Sequence, residues 1–313
     1  MTAAPPVGVF DAIARRPRLA ALLGASCIAF SGIFYRYADV SPSTATVFRC
    51  LYGLPLLALF AWLEWRRYGG LPAASIRLAA IAGIFFAGDL TFWHHSIEAV
   101  GAGLSTVLGN LQVLVVGIVA WLIMGERPSR AVLIALPVVL VGVVLISGLI
   151  GSGAYGANPV LGVVFGLATA ICYSGYLLVI RRSGRDLSRP VTPVAISTAA
   201  TAGVALLVGV PLGDLQLAPA WPAHGWLAIY GVTSQFLGYV LISLSLPRLP
   251  AVVTSVILLV QPVISVVLAM ILLAETPSAV QLLGVGLVVG GISIATVPLA
   301  RIRGVLAPAT PAP

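Results

Sequence analysis

Asp89 lies deep inside an apolar stretch, about nine residues from its outer end, and no other acid of the chain is placed so deeply. Helical spacing puts Phe85, Asp89, Phe92, Trp93 and Ser96 on one face. A carboxylate among aromatic rings suits an amine or other cationic solute, held by charge and by the ring faces. It can equally carry a coupling proton. Arg49 lies inside the preceding apolar stretch, about five residues or roughly 7 Å from its outer end. A charge within a bilayer span is costly and usually has a partner or a function. Arg49 can hold a substrate carboxylate or phosphate through bidentate contacts, snorkel to the interface, or form with Asp89 a buried ion pair that only fixes helix packing. His94 and His95 follow, about 140° and 240° around the helix from Asp89. Adjacent histidines diverge, so they do not make a metal site together, and His94 or His95 is instead placed to relay protons near a membrane mouth.

Neutral polar groups add candidates. Asn110, Gln112 and Gln261 fall near the middle of their apolar stretches, and Gln235, Tyr239 and Ser243 form an i, i+4, i+8 stripe. Helix-to-helix hydrogen bonds are the plain explanation of such groups. The alternative is a shared binding site, with Asp89, Arg49, Trp93, Phe85, Gln112, Gln261, Tyr239, Gln235 and His94 as its candidate residues. There is no catalytic constellation, no metal-ligand spacing and no phosphate-binding loop. No cofactor is expected. Cys27, Cys50 and Cys172 show no paired spacing.

The elements that must position these groups are set by composition. The chain is 60% hydrophobic and 8% charged, against about 25% charged in an ordinary soluble domain. Apolar runs of roughly 20 residues predict helices near 19–38, 44–64, 77–97, 103–124 and 130–149, then 159–180, 192–212, 225–246, 250–273 and 279–299. The runs are continuously apolar rather than alternating, so barrel strands are excluded. All 17 basic residues are arginine. With a cytoplasmic N-terminus, every arginine except Arg36 and Arg49 falls on the cytoplasmic side, as the positive-inside rule requires. The net charge of +8 reflects that sidedness and does not indicate nucleic acid.

One block occurs twice. Residues 102–129 read AGLSTVLGNLQVLVVGIVAWLIMGERPS, and residues 251–278 read AVVTSVILLVQPVISVVLAMILLAETPS. A shift of 149 carries Gln112 onto Gln261, Glu126 onto Glu275, Pro128 onto Pro277 and Gly142 onto Gly291, and a shift of 143 carries Phe30-Ser31-Gly32 onto Tyr173-Ser174-Gly175. Five helices per half is an odd number, so the halves are expected upside down relative to each other. The expected fold class is an all-α integral membrane protein with ten transmembrane helices in two inverted five-helix repeats. Residues 19–150 form the first repeat and 159–299 the second, with a cytoplasmic segment at 1–18 and a cytoplasmic tail at 300–313. Glu126 and Glu275 each precede a proline that suits a helix's first turn. Each carboxylate is expected near the N-terminus of the helix that follows it, with a gating or coupling role as the alternative.

Gly-Glu-Arg-Pro-Ser followed by a glycine-punctuated helix ending in GVVLIS, its second copy Ala-Glu-Thr-Pro-Ser before QLLGVGLVVGGISIAT, and Val47-Phe48-Arg49-Cys50-Leu51 opening the second helix resemble the drug/metabolite transporter superfamily, EamA type. The resemblance covers residues 20–299. It implies ten helices in two inverted repeats and transport of small organic solutes, often outward. A secondary transporter working by alternating access is therefore expected. Helices 1–4 and 6–9 would line a central cavity, with helices 5 and 10 peripheral. Its partners would be the lipid bilayer and a small-molecule substrate, with proton coupling as an option. Gly286-x-x-x-Gly290 offers a homodimer contact. An amino acid or amine is the favoured substrate; sugars, nucleobases or other metabolites are the alternative, followed by a membrane-embedded enzyme or a non-transport membrane protein. The all-arginine, alanine-rich composition points to a bacterial cytoplasmic membrane.

Overall fold

The structure, a computed structural model, describes residues 16–115, 118–119, 130–184, 186, 188–245, 248, 257–258 and 260–296. Within them the chain is helical throughout, with no strand. The helices are α1 (Pro17–Ala38), α2 (Pro42–Tyr68), α3 (Ala73–Val100), α4 (Ala102–Val115), α5 (Arg130–Ile146), α6 (Pro159–Ser183), α7 (Thr192–Leu212), α8 (Ala223–Ser245), α9 (Val260–Leu272) and α10 (Ala279–Thr296). Six of these, α1–α3 and α6–α8, are long and apolar enough to cross a membrane, and the other four are shorter apolar helices. Glu126, Pro128 and Ser129 lie outside the described residues.

Local sequence explains the helix boundaries. α1, α2 and α6 have proline in the first turn, where no backbone donor is required. Asn158 caps α6 by accepting the Leu161 N–H at 3.1 Å. Gly101, at φ 90°, makes the abrupt turn between α3 and α4, a backbone conformation that a side chain would strain. α8 carries a π-helical segment at Gly231–Gly238. The surface is apolar as well: Leu207, Val210 and Ile271 are exposed, as expected where the surrounding solvent is lipid.

Packing runs across the halves rather than within them. α3 lies against α6 and α7, α7 against α2, α4 against α9, and α5 against α10. The crossings are tight where glycines meet. A Cβ on Gly142 would lie 2.8 Å from the Gly284 carbonyl, and one on Gly284 would lie 2.7 Å from that of Gly142. Gly286 and Gly290 have open space beside them instead, so the close approach of α10 to α5 uses other glycines.

The α2–α7 pair is fastened at both ends. The Glu64 carboxylate, near the end of α2, accepts the Val191 and Thr192 N–H groups at 2.8 Å each and the Thr192 hydroxyl at 2.6 Å. At the opposite end the Asp214 carboxylate, just past α7, accepts the Ser43 N–H of α2 at 3.2 Å. Each helix thus has its free N-terminal donors satisfied by an acid delivered by the other. Glu64→Ala leaves those α7 donors buried without an acceptor, at a cost of about 1–2 kcal/mol. Thermal unfolding in detergent should show a lower midpoint, and an unchanged midpoint would remove Glu64 from the stabilising contacts.

Candidate functional site

Where the halves meet, a cavity of about 50 Å³ opens at the level of Asp89, room for about three to five waters at roughly 10–15 Å³ each. α3 contributes Asp89, Leu90 and Trp93, and α6 contributes Thr169 and Tyr173. Arg49 comes from α2, Ser31 and Ile28 from α1, Thr106 and Gly109 from α4, Tyr239 from α8 and Gln261 from α9. α7 contributes nothing to the wall: it packs behind α2 and α3, although helices 6–9 were all expected to line the cavity.

Arg49 is 1% exposed, which excludes the snorkelling alternative. Its Cζ stands 4.3 Å from the centroid of the Tyr230 ring and 5.9 Å from that of Phe86. Nη1 donates to the Tyr230 hydroxyl at 2.6 Å. Nε and Nη2 are buried with no hydrogen-bond partner among the described residues. Asp89 is 6% exposed. The ion pairs among the described residues are His95–Glu98 and Arg189–Asp186, so Arg49 and Asp89 border one cavity without closing on each other. The ion pair that would have made both merely structural is not formed here.

The other candidates separate. Trp93, Tyr239 and Gln261 line the cavity. Phe85 does not: it is 39% exposed and packs against Gly175 of α6. Phe92 stacks on Phe165, with centroids 6.2 Å apart. Gln112 is buried but away from the cavity wall, so only one member of the repeated glutamine pair reaches it. Gln235 donates from Nε2 to the Thr198 hydroxyl at 2.8 Å, and Ser243 donates to the Pro190 carbonyl. Of the expected Gln235–Tyr239–Ser243 stripe, Tyr239 alone lines the cavity; Gln235 lies within the π-helical segment and Tyr239 and Ser243 in the α-helix after it. His94 is fully buried beside Arg49, its ring nitrogens 2.9 Å from the Thr46 hydroxyl and 3.2 Å from that of Tyr230. His95 instead faces Glu98 at 3.9 Å and Phe165.

Glu275 corrects a second expectation. Its carboxylate caps α4, not the following α10, accepting the Ala102 N–H at 2.6 Å and the Gly103 N–H at 3.2 Å. Burial raises its carboxyl above the ordinary range, and those two N–H groups pull the other way. The cap lies on the opposite half of the chain from the acid, so Glu275 joins the halves. Glu126 lies outside the described residues.

Sequence reasoning missed Tyr173 and Tyr230. Tyr173 had a signal: it matches Phe30 in the 143-residue shift, and its neighbour in that match, Ser31, also reaches the cavity. Tyr230 had none, since its role comes from α8 packing against α2, where a Cβ on Gly231 would lie 2.7 Å from the Arg49 carbonyl.

A family model described as the EamA-like transporter family matches residues 16–148 and again 160–297. A comparison with curated proteins finds no match. Among solved structures, one titled only "Crystal structure of protein" superposes with a TM-score of 0.60 at 21% identity, over 91% of this chain and 98% of that one. That similarity concerns the fold.

Proposed function

The chain belongs to the EamA-like transporter family, whose members are multi-pass membrane transporters and not enzymes, and from that premise we propose that it moves a small organic solute outward by alternating access. Ten spans in two inverted repeats, with both termini in the cytoplasm of a bacterium, frame this reading. The solute class is an amino acid or amine. One observation carries it: a buried guanidinium and a buried carboxyl group border the same cavity without forming an ion pair with each other. Asp89 takes the ammonium group or the coupling proton, with Trp93 and Tyr239 beside it offering ring faces. Arg49 takes an anionic group. Ionisable groups held in lipid without mutual pairing are expensive, and a zwitterionic solute partners both at once.

The test is thermal stabilisation of the purified protein by L-amino acids, primary amines, sugars and nucleobases, repeated with Asp89→Asn. A ligand that binds only the folded protein stabilises it by mass action, by about 2.7 kcal/mol at one hundred times its dissociation constant, and so raises the midpoint. Stabilisation by amino acids or amines that disappears in Asp89→Asn is the expected result. Stabilisation confined to sugars or nucleobases overturns the solute class and leaves the transporter.

A further inference from the structure

Resting on the site reading above, we propose that His94 and Tyr230 are positioning residues that turn Arg49 into a one-sided socket for a carboxylate. The hydrogen-bond polarity is assigned from one group at the far end. The Thr46 hydroxyl donates its only hydrogen to the Pro42 carbonyl at 2.9 Å. With that hydrogen assigned to the carbonyl, the 2.9 Å contact with His94 Nδ1 takes Nδ1–H as the donor. In the neutral ring Nε2 is then a lone pair, which accepts from the Tyr230 hydroxyl at 3.2 Å. The tyrosine oxygen is left free to accept Arg49 Nη1–H at 2.6 Å. Every donor from Arg49 Nη1 to Thr46 has one acceptor and all point the same way along the chain. The imidazole plane is held in addition by the Tyr35 ring, 4.4 Å from centroid to centroid, and Tyr35 is itself tied to Glu98 by a 2.8 Å hydrogen bond.

The relay occupies one side of the guanidinium and leaves a particular remainder. Nε–H and the neighbouring Nη2–H are parallel donors along one edge, the edge that accepts the two oxygens of a carboxylate side-on. Those are the two nitrogens of Arg49 that are buried without a partner. A ring stacked at 4.3 Å stops the plane from turning. The substrate class is thereby narrowed: a solute must bring a carboxylate to this edge, and an amine without one gains nothing from Arg49.

Two measurements test this. The first needs no ligand. ¹⁵N-histidine NMR of the protein in nanodiscs, with the His94 signals assigned by their loss in His94→Gln, should show the neutral Nδ1–H tautomer. An Nε2–H tautomer would place a donor against the Tyr230 hydroxyl and overturn the relay. The second uses L-alanine, propionate and ethylamine as probes, with Kd read from thermal shift. Tyr230→Phe and His94→Ala should weaken L-alanine and propionate about tenfold and leave ethylamine unchanged, with His94→Gln, which can still accept, in between. Equal weakening of all three probes, unaltered propionate binding in Tyr230→Phe, or no binding of either carboxylate to the wild-type protein overturns the proposal. Failure of the broader site reading is distinct: it appears as solute stabilisation indifferent to Asp89→Asn, and it does not alter the tautomer.

Discussion

Arg49→Met should abolish recognition of carboxylate-bearing solutes while leaving a folded protein. Methionine is unbranched and flexible enough to fill the slot between Tyr230 and Phe86, and it removes a charge that has no ion-pair partner among the described residues. What is lost is a pair of hydrogen bonds from a buried cation to an anion, about 1.5–3 kcal/mol each. A total of about 3 kcal/mol or more corresponds to roughly 100-fold or more in affinity. Counterflow of L-alanine in proteoliposomes, beside size-exclusion profiles of the same samples, measures both halves of the expectation. Arg49→Lys separates charge from shape, because an ammonium keeps the charge but not the planar edge, and it should restore only a minor part of the rate. A monodisperse Met variant that transports normally would take Arg49 out of the site. A Met variant that fails to fold, beside a Lys variant that transports at the wild-type rate, would make the charge structural.

Gly83→Leu should be the most damaging single change to the fold. A Cβ at Gly83 would sit 2.4 Å from the Ser197 carbonyl oxygen and 2.6 Å from the Ala200 Cβ, and neither group can rotate away. At the same crossing the single Thr201 hydroxyl hydrogen lies between the Gly83 carbonyl at 2.9 Å and the Ser197 carbonyl of its own helix at 2.8 Å, so separating α3 from α7 leaves it the second acceptor. Overpacking of a tight contact costs about 1–3 kcal/mol. The proper control is on α7 itself: Gly203 has nothing within 4 Å of an added Cβ, and Gly203→Leu should behave as wild type. The readout is the fraction of monodisperse protein surviving a temperature ramp. Equal survival of the two variants would show that the α3–α7 crossing yields without cost.

The helical, two-repeat character was legible because hydrophobic length, arginine placement and the 149-residue shift all report on the chain's relation to lipid, which acts residue by residue. The site was half legible for a geometric reason. From Asp89, Phe85 lies about 40° to one side and Trp93 about 40° to the other, with Phe86 about 60° round on the Trp93 side. Spacing alone grouped Phe85 with Trp93. The tertiary fold places the cavity on the Trp93 side, so Phe86 comes to border Arg49 and Phe85 turns toward α6. Glu275 was misread for a different reason. Sequence rules for helix caps are local, and this carboxylate reaches a helix 173 positions away. Gln112 shows the limit of internal symmetry: repeated residues occupy equivalent places in their own halves, but a cavity that is not itself symmetric receives only Gln261.

The reciprocal fastening of α2 and α7 sets an order in time. Ser43 waits for an acid 171 positions further along the chain, and Glu64 for backbone donors 127 positions on. At about 5–20 residues per second of synthesis, the α2 N-terminus is made about 10–30 s before its cap exists. The newly inserted first half must therefore persist in the bilayer as an unfinished object with a polar helix end still seeking a partner. A ribosome that stalls between the halves leaves behind a membrane intermediate whose exposed groups a quality-control protease or chaperone can read.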